Sequence, residues 1–142
     1  MLGLIARRLG RRGAILASFG ALWALYGVGQ LIEPLPDTRG IRLLLRVMPL
    51  DGWAWCWIVC GLLALASAPL RQGRDWVGFP ALLVIVVPWM CSYLASWWPL
   101  HDYPRGWIAA LIWAVAAVPV IVVAGWTEPA RPEHMEGWGG DG

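Results

Sequence analysis

The chain has no lysine, so all eleven of its basic residues are arginines. Charge of either sign is scarce, at 14% of 142 residues, against roughly 25% in soluble domains. Four stretches lack it altogether: Ala14–Ile32, Gly52–Leu70, Val77–Trp98 and Trp107–Gly125. Proton relays, voltage sensors and ion-coupled carriers place ionisable groups inside the membrane. These stretches offer none, which sets that chemistry aside. The net charge is only +2, and outside the stretches no basic run is interleaved with aromatics, so nucleic acid is excluded as a partner. The three cysteines, Cys56, Cys60 and Cys91, are odd in number and lie inside the apolar stretches. That argues against a disulfide framework. Cys56 and Cys60 are one helical turn apart, but no His, Asp or Glu stands in any stretch to complete a metal site. No phosphate-binding glycine loop or nucleophile elbow is present. No metal or other cofactor is therefore expected.

What is present is apolar length. A helix rises about 1.5 Å per residue, so each stretch is long enough to cross a hydrocarbon core of about 30 Å. Strands would need only about 9–11 residues and an alternating pattern, which is not seen. The expected fold is an all-α integral membrane protein with the lipid bilayer as its partner. Four transmembrane helices, about 14–32, 52–70, 77–98 and 107–125, run antiparallel in up-down order because short connections join neighbours. Residues 1–13 form a basic N-terminus, 14–126 the membrane domain, and 127–142 an acidic, Gly-rich tail expected to be disordered. The basic start followed by an apolar run has the layout of a signal peptide. The run is longer than the usual 7–15 residues and has no A-x-A site after it, so an uncleaved first span is expected.

The first connection holds Ile41-Arg42-Leu43-Leu44-Leu45-Arg46-Val47-Met48. Arg42 and Arg46 share one helical face. The segment reads either as a short amphipathic helix in the interface, arginines toward headgroups, or as a loop packed on the bundle. With the N-terminus inside, Arg7, Arg8, Arg11, Arg12, Arg71, Arg74 and Arg131 fall on the cytoplasmic side, and Arg39, Arg42, Arg46 and Arg105 on the other. The positive-inside rule then puts both termini in the cytoplasm, across the inner membrane. Indoles favour the headgroup level. Trp53, Trp57, Trp76, Trp97, Trp98, Trp107 and Trp126 are expected there, with Arg42 and Arg46.

Small residues recur along the helices. Ala17, Gly20, Ala24 and Gly27 form one seam, Cys56, Cys60, Ala64 and Ala68 a second, and Ala110, Ala114, Ala117 and Ala124 a third. Close approach at small residues holds helices together in lipid. The seams serve packing within one chain or a homo-oligomer. Pro88 and Pro119 fall mid-span and read as kinks. The polar residues in the spans are Ser18, Tyr26, Gln30, Ser67, Ser92, Tyr93 and Ser96. The one enzyme-like constellation is His101, Asp102, Tyr103 and Arg105 in the third connection. A histidine beside carboxylates could do acid–base work, but solvated loop residues look the same. No catalytic residue is assigned.

Arg7-Arg8-Leu9-Gly10-Arg11-Arg12-Gly13, Leu22-Trp23-Ala24-Leu25-Tyr26-Gly27, Arg71-Gln72-Gly73-Arg74-Asp75 and Asp102-Tyr103-Pro104-Arg105-Gly106-Trp107 together resemble small four-span membrane proteins of high-GC actinobacteria and their phages. Some of those are regarded as holin-like. The resemblance implies a phage or prophage origin and carries over no functional residue. Holins often end in a basic tail, whereas this tail is net acidic. The leading expectation is a non-enzymatic membrane protein, in its sharpest form a holin-like permeabiliser of the inner membrane. The alternatives are an accessory subunit that docks a protein partner and an enzyme using the His101/Asp102 loop.

Overall fold

The computed structural model describes residues 2–70 and 74–126, with side chains from residue 10 onward. Within them there are five helices and no strands: α1 (Leu2–Ile32), α2 (Arg42–Leu45), α3 (Leu50–Ser67), α4 (Gly78–Trp97) and α5 (Gly106–Ala124). Single 3-10 turns, Arg39–Ile41 and Asp75–Val77, precede α2 and α4. Four helical segments, Gly10–Ile32, Leu50–Ser67, Gly78–Trp97 and Gly106–Ala124, are long and apolar enough to cross a membrane. The acidic tail expected over 127–142 lies outside the described residues.

Local sequence sets the helix ends. Helical backbone runs from Leu2 to Gly10 and turns there, at φ 66° and ψ 178°. Glycine reaches that region without the Cβ penalty. The helix then resumes through Arg11, Arg12 and Gly13, so α1 begins its long run before the uncharged stretch does. It ends where the Glu33 N–H donates to the Gly29 carbonyl at 2.8 Å and Pro34 and Pro36 follow. Asp51 lies in the first turn of α3, where a carboxylate suits the positive end of the helix dipole. Pro88 and Pro119 sit inside α4 and α5.

Helix α1 packs chiefly on α3, α4 chiefly on α5, and α3 joins the pairs by packing on α4. Glycine lets α1 and α3 come close. A Cβ on Gly20 would stand 2.7 Å from the Gly61 carbonyl oxygen, and one on Gly27 would stand 2.6 Å from that of Ala54. Leu16, Trp23, Trp57, Leu82, Val86, Trp89 and Val120 fill the centre. Outside, Leu22, Leu25, Val59, Leu62, Val84, Ile112, Val115 and Ile121 are exposed.

The first connection forms the short helix α2 and packs on the bundle through its apolar residues. Ile41 and Leu44 are buried. The Trp53 indole donates to the Leu44 carbonyl at 3.0 Å, and the Ser92 hydroxyl donates to the Gly40 carbonyl at 3.1 Å. Gly40 lies against the Tyr93 ring with no room for a Cβ.

Candidate functional site

The span-embedded polar residues turn inward. Gln30, Ser67, Ser92, Tyr93 and Ser96 are buried, Tyr26 is half-buried, and Ser18 alone of the seven is exposed. The buried serines donate to backbone: Ser67 to the Leu63 carbonyl at 2.8 Å, Ser92 to that of Gly40 at 3.1 Å and Ser96 to that of Tyr93 at 2.7 Å.

The centre of the bundle is an aromatic layer drawn from all four long helices. The Trp23 and Trp57 rings meet edge to face at 5.4 Å, Tyr26 and Trp57 at 4.8 Å, and Trp57 and Trp89 at 5.5 Å. Trp113 packs on Trp57 at 5.2 Å and on Tyr26 at 5.4 Å, and Trp53 on Trp89 at 6.0 Å. Edge-to-face pairs add about 0.5–1.5 kcal/mol each beyond their buried area. The Trp23 indole donates to the Leu82 carbonyl at 3.1 Å. The Trp57 and Trp89 indole nitrogens and Gln30 Oε1, all buried, have no hydrogen-bond partner among the described residues. The Tyr26 hydroxyl lies beside Gln30 and Trp89. A buried polar atom left unsatisfied costs about 1–3 kcal/mol.

Trp57 is fully buried in this layer. Its position one turn beyond Trp53 takes it below the end of α3, onto the face that meets α1. Trp53 is half-buried. Trp76, Trp97, Trp98, Trp107 and Trp126 are exposed, as are Arg42 and Arg46. In the first seam Gly20 and Gly27 are buried, with Ala17 and Ala24 half-buried. In the second, Ala64 and Ala68 are buried and Cys56 and Cys60 half-buried, while Gly61 makes the closest approach to α1. In the third, Ala110 and Ala117 are buried and Ala114 and Ala124 half-buried.

At one end of the bundle is a buried ion pair that the sequence reading missed. Arg12 Nε donates to Asp75 Oδ2 at 2.8 Å, and both side chains are at least nine-tenths buried. The same guanidinium donates through one terminal nitrogen to the Val123, Ala124 and Trp126 carbonyls at 3.0, 2.9 and 2.7 Å. Its carbon stands 4.6 Å from the Phe79 ring centre. Arg12 thus ties α1 to the turn before α4 and supplies donors to carbonyls at the end of α5, of which that of Val123 also accepts from the Trp126 N–H at 3.1 Å. A cation there also suits the negative end of the helix dipole. By sequence alone Arg12 belongs to the basic N-terminus, residues 1–13. The available signal was Asp75, the one carboxylate in the short second connection.

The opposite end is closed by the first and third connections. Arg42 donates to Asp102 Oδ2 at 3.1 Å. Arg39 holds Asp37 through 3.0 and 2.7 Å contacts and lies 5.9 Å from the Tyr103 ring centre. The hydrogen bonds from Arg39, side chain first and then backbone, lower the Asp37 carboxyl to about 2, and the same pairing raises Arg39. His101, at φ 56°, places Nδ1 2.6 Å from the Pro99 carbonyl oxygen. His101 and Asp102 thus engage different partners. Among the described residues no group of three His, Cys, Asp or Glu could hold a metal ion. Comparison with family models, curated proteins and solved structures gives no match.

Proposed function

We propose that the chain is a non-enzymatic four-span protein of the cytoplasmic membrane that sits in lipid as a closed bundle and serves as an accessory subunit docking a protein partner. One observation carries the closed-bundle reading: every polar side chain of the spans except Ser18 is buried or half-buried, and the outward faces are otherwise apolar. The close approaches of α1 and α3 support up-down order, since Gly20 meets Gly61 while Gly27 meets Ala54. Seven arginines against four support cytoplasmic termini.

The docking part rests on the tied-down end. The Arg42–Asp102 pair and Arg39 over the Tyr103 ring hold two connections together, and exposed Val47, Trp98 and Leu100 lie on those connections. A holin-like pore would need several copies lining a lumen. The aromatic layer fills the centre of one copy, and the outer faces offer few polar groups for water. Both features weigh against that reading.

Inducible expression separates the two. A docking subunit leaves growth normal at high membrane levels, and a detergent pull-down recovers a stoichiometric partner. Growth arrest with dye entry would overturn the proposal in favour of permeabilisation.

A further inference from the structure

The charges of the described residues divide unevenly between the two ends of the bundle. At the end closed by the first and third connections, Arg39, Arg42, Arg46 and Arg105 stand with Glu33, Asp37, Asp51 and Asp102, as many carboxylates as arginines. At the other end the described charges are Arg11, Arg12, Arg74 and Asp75. Arg12 and Asp75 cancel each other in their buried pair. Arg11 and Arg74 remain. Both are exposed, and neither forms an ion pair with another described residue.

The buried pair fixes where these two stand. Arg11 precedes Arg12 on α1 and Arg74 precedes Asp75, so the 2.8 Å contact brings both to one end of the bundle. Arg12 also holds the Trp126 carbonyl there, at 2.7 Å. Trp126 is exposed, and so are Trp76 and Val77, which follow Asp75. This end therefore presents surplus positive charge, indoles and apolar side chains where the spans run out. A bilayer offers the matching order, hydrocarbon and then phosphate-bearing headgroups. Indoles favour the headgroup level, and a guanidinium takes two phosphate oxygens through parallel N–H bonds. A zwitterionic headgroup brings no net charge to offset the surplus, whereas an anionic one does.

We infer that this end of the bundle is a binding surface for anionic phospholipid headgroups, with Arg11 and Arg74 taking the phosphates and Trp76 and Trp126 seated at the headgroup level. The Arg12–Asp75 pair is its scaffold. The surface presupposes that the four spans cross a membrane and does not depend on the docking proposal. The rival occupant is the chain itself, which continues past Trp126 with Glu128, Glu133 and Glu136.

The test is lipid retention, read by native mass spectrometry of the full chain extracted from liposomes of equal phosphatidylcholine and phosphatidylglycerol. The wild type is expected to retain phosphatidylglycerol in excess, on the order of tenfold, because each arginine near an anionic surface contributes several-fold. The double variant Arg11→Gln, Arg74→Gln changes only exposed sites and is expected to bring the two lipids close to parity. The double variant Arg42→Gln, Arg46→Gln, at the other end, should leave the excess unchanged. A wild type that inserts but retains both lipids equally overturns the inference alone. If an excess then emerges in the triple variant Glu128→Gln, Glu133→Gln, Glu136→Gln, the surface belongs to the chain's own carboxylates. An excess lost with Arg42 and Arg46 but kept without Arg11 and Arg74 also overturns it. A chain that does not insert into liposomes at all overturns the membrane-spanning reading with it.

Discussion

Arg12 and Asp75 stand 63 positions apart in the chain and meet at 2.8 Å in the buried end of the bundle. Removing one member of a buried pair costs about 3–5 kcal/mol, because the other is left as an uncompensated charge. Here Arg12 keeps the carbonyls of α5 as acceptors, so the low end applies. Asp75→Ala is expected to destabilise the bundle by roughly 3 kcal/mol, measured by denaturing-detergent titration of the purified protein. The double variant Arg12→Met, Asp75→Leu should recover much of that loss. Equal losses in the double and the single variants would mean that the pair's charge is not what matters.

The glycines of the α1–α3 contact differ in what they face. A Cβ on Gly61 would stand 2.5 Å from the backbone of Gly20 and Ala24, whereas one on Gly29 meets nothing within 4 Å. Overpacking costs about 1–3 kcal/mol, so Gly61→Ala should destabilise by that amount. Gly29→Ala should be neutral, or stabilising by up to about 1 kcal/mol, because alanine is the better helix former. The same unfolding titration reads both. Similar effects at the two positions would show that α1 and α3 do not approach at Gly61.

Asp37 supplies a pH prediction at the other end. Its folded carboxyl is lowered to about 2 from an ordinary 3.8 by hydrogen bonds from Arg39. A lowered carboxyl contributes its stabilisation above the unfolded value, and that contribution is lost as pH falls from near 4 through about 2. The pair is open to solvent, so the effect on overall stability is small. The direct readout is a carboxyl-carbon titration, with its midpoint near 2 in the wild type and close to the ordinary value in Arg39→Ala. A wild-type midpoint near 4 would mean the pair does not persist in solution.

Much of this architecture is legible in the sequence because the membrane imposes simple rules. The absence of charge marks the four apolar helical segments, Gly10–Ile32, Leu50–Ser67, Gly78–Trp97 and Gly106–Ala124, to within a few residues at each end, since a helix that crosses lipid needs about 20 apolar positions; it does not mark the helical turns of α1 before Gly10. Nearness to a helix start does not say which face a residue occupies, so the burial of Trp57 in the aromatic layer is not legible in the sequence. Nor is the pairing of Arg12, because nothing in a run of arginines says that a distant carboxylate meets one of them. The orphan indole of Trp57 depends on which carbonyls it fails to reach, and no spacing encodes that.

The most direct test of the closed bundle is leakage. Purified protein is inserted into liposomes loaded with a self-quenching dye, and release is followed as protein density rises. The expected result is a dye signal at the level of empty liposomes, even at high density, because all the polar groups of the spans but Ser18 are buried or half-buried around a filled aromatic centre. Dye release that grows steeply with protein density would contradict it and point to a pore assembled from several copies.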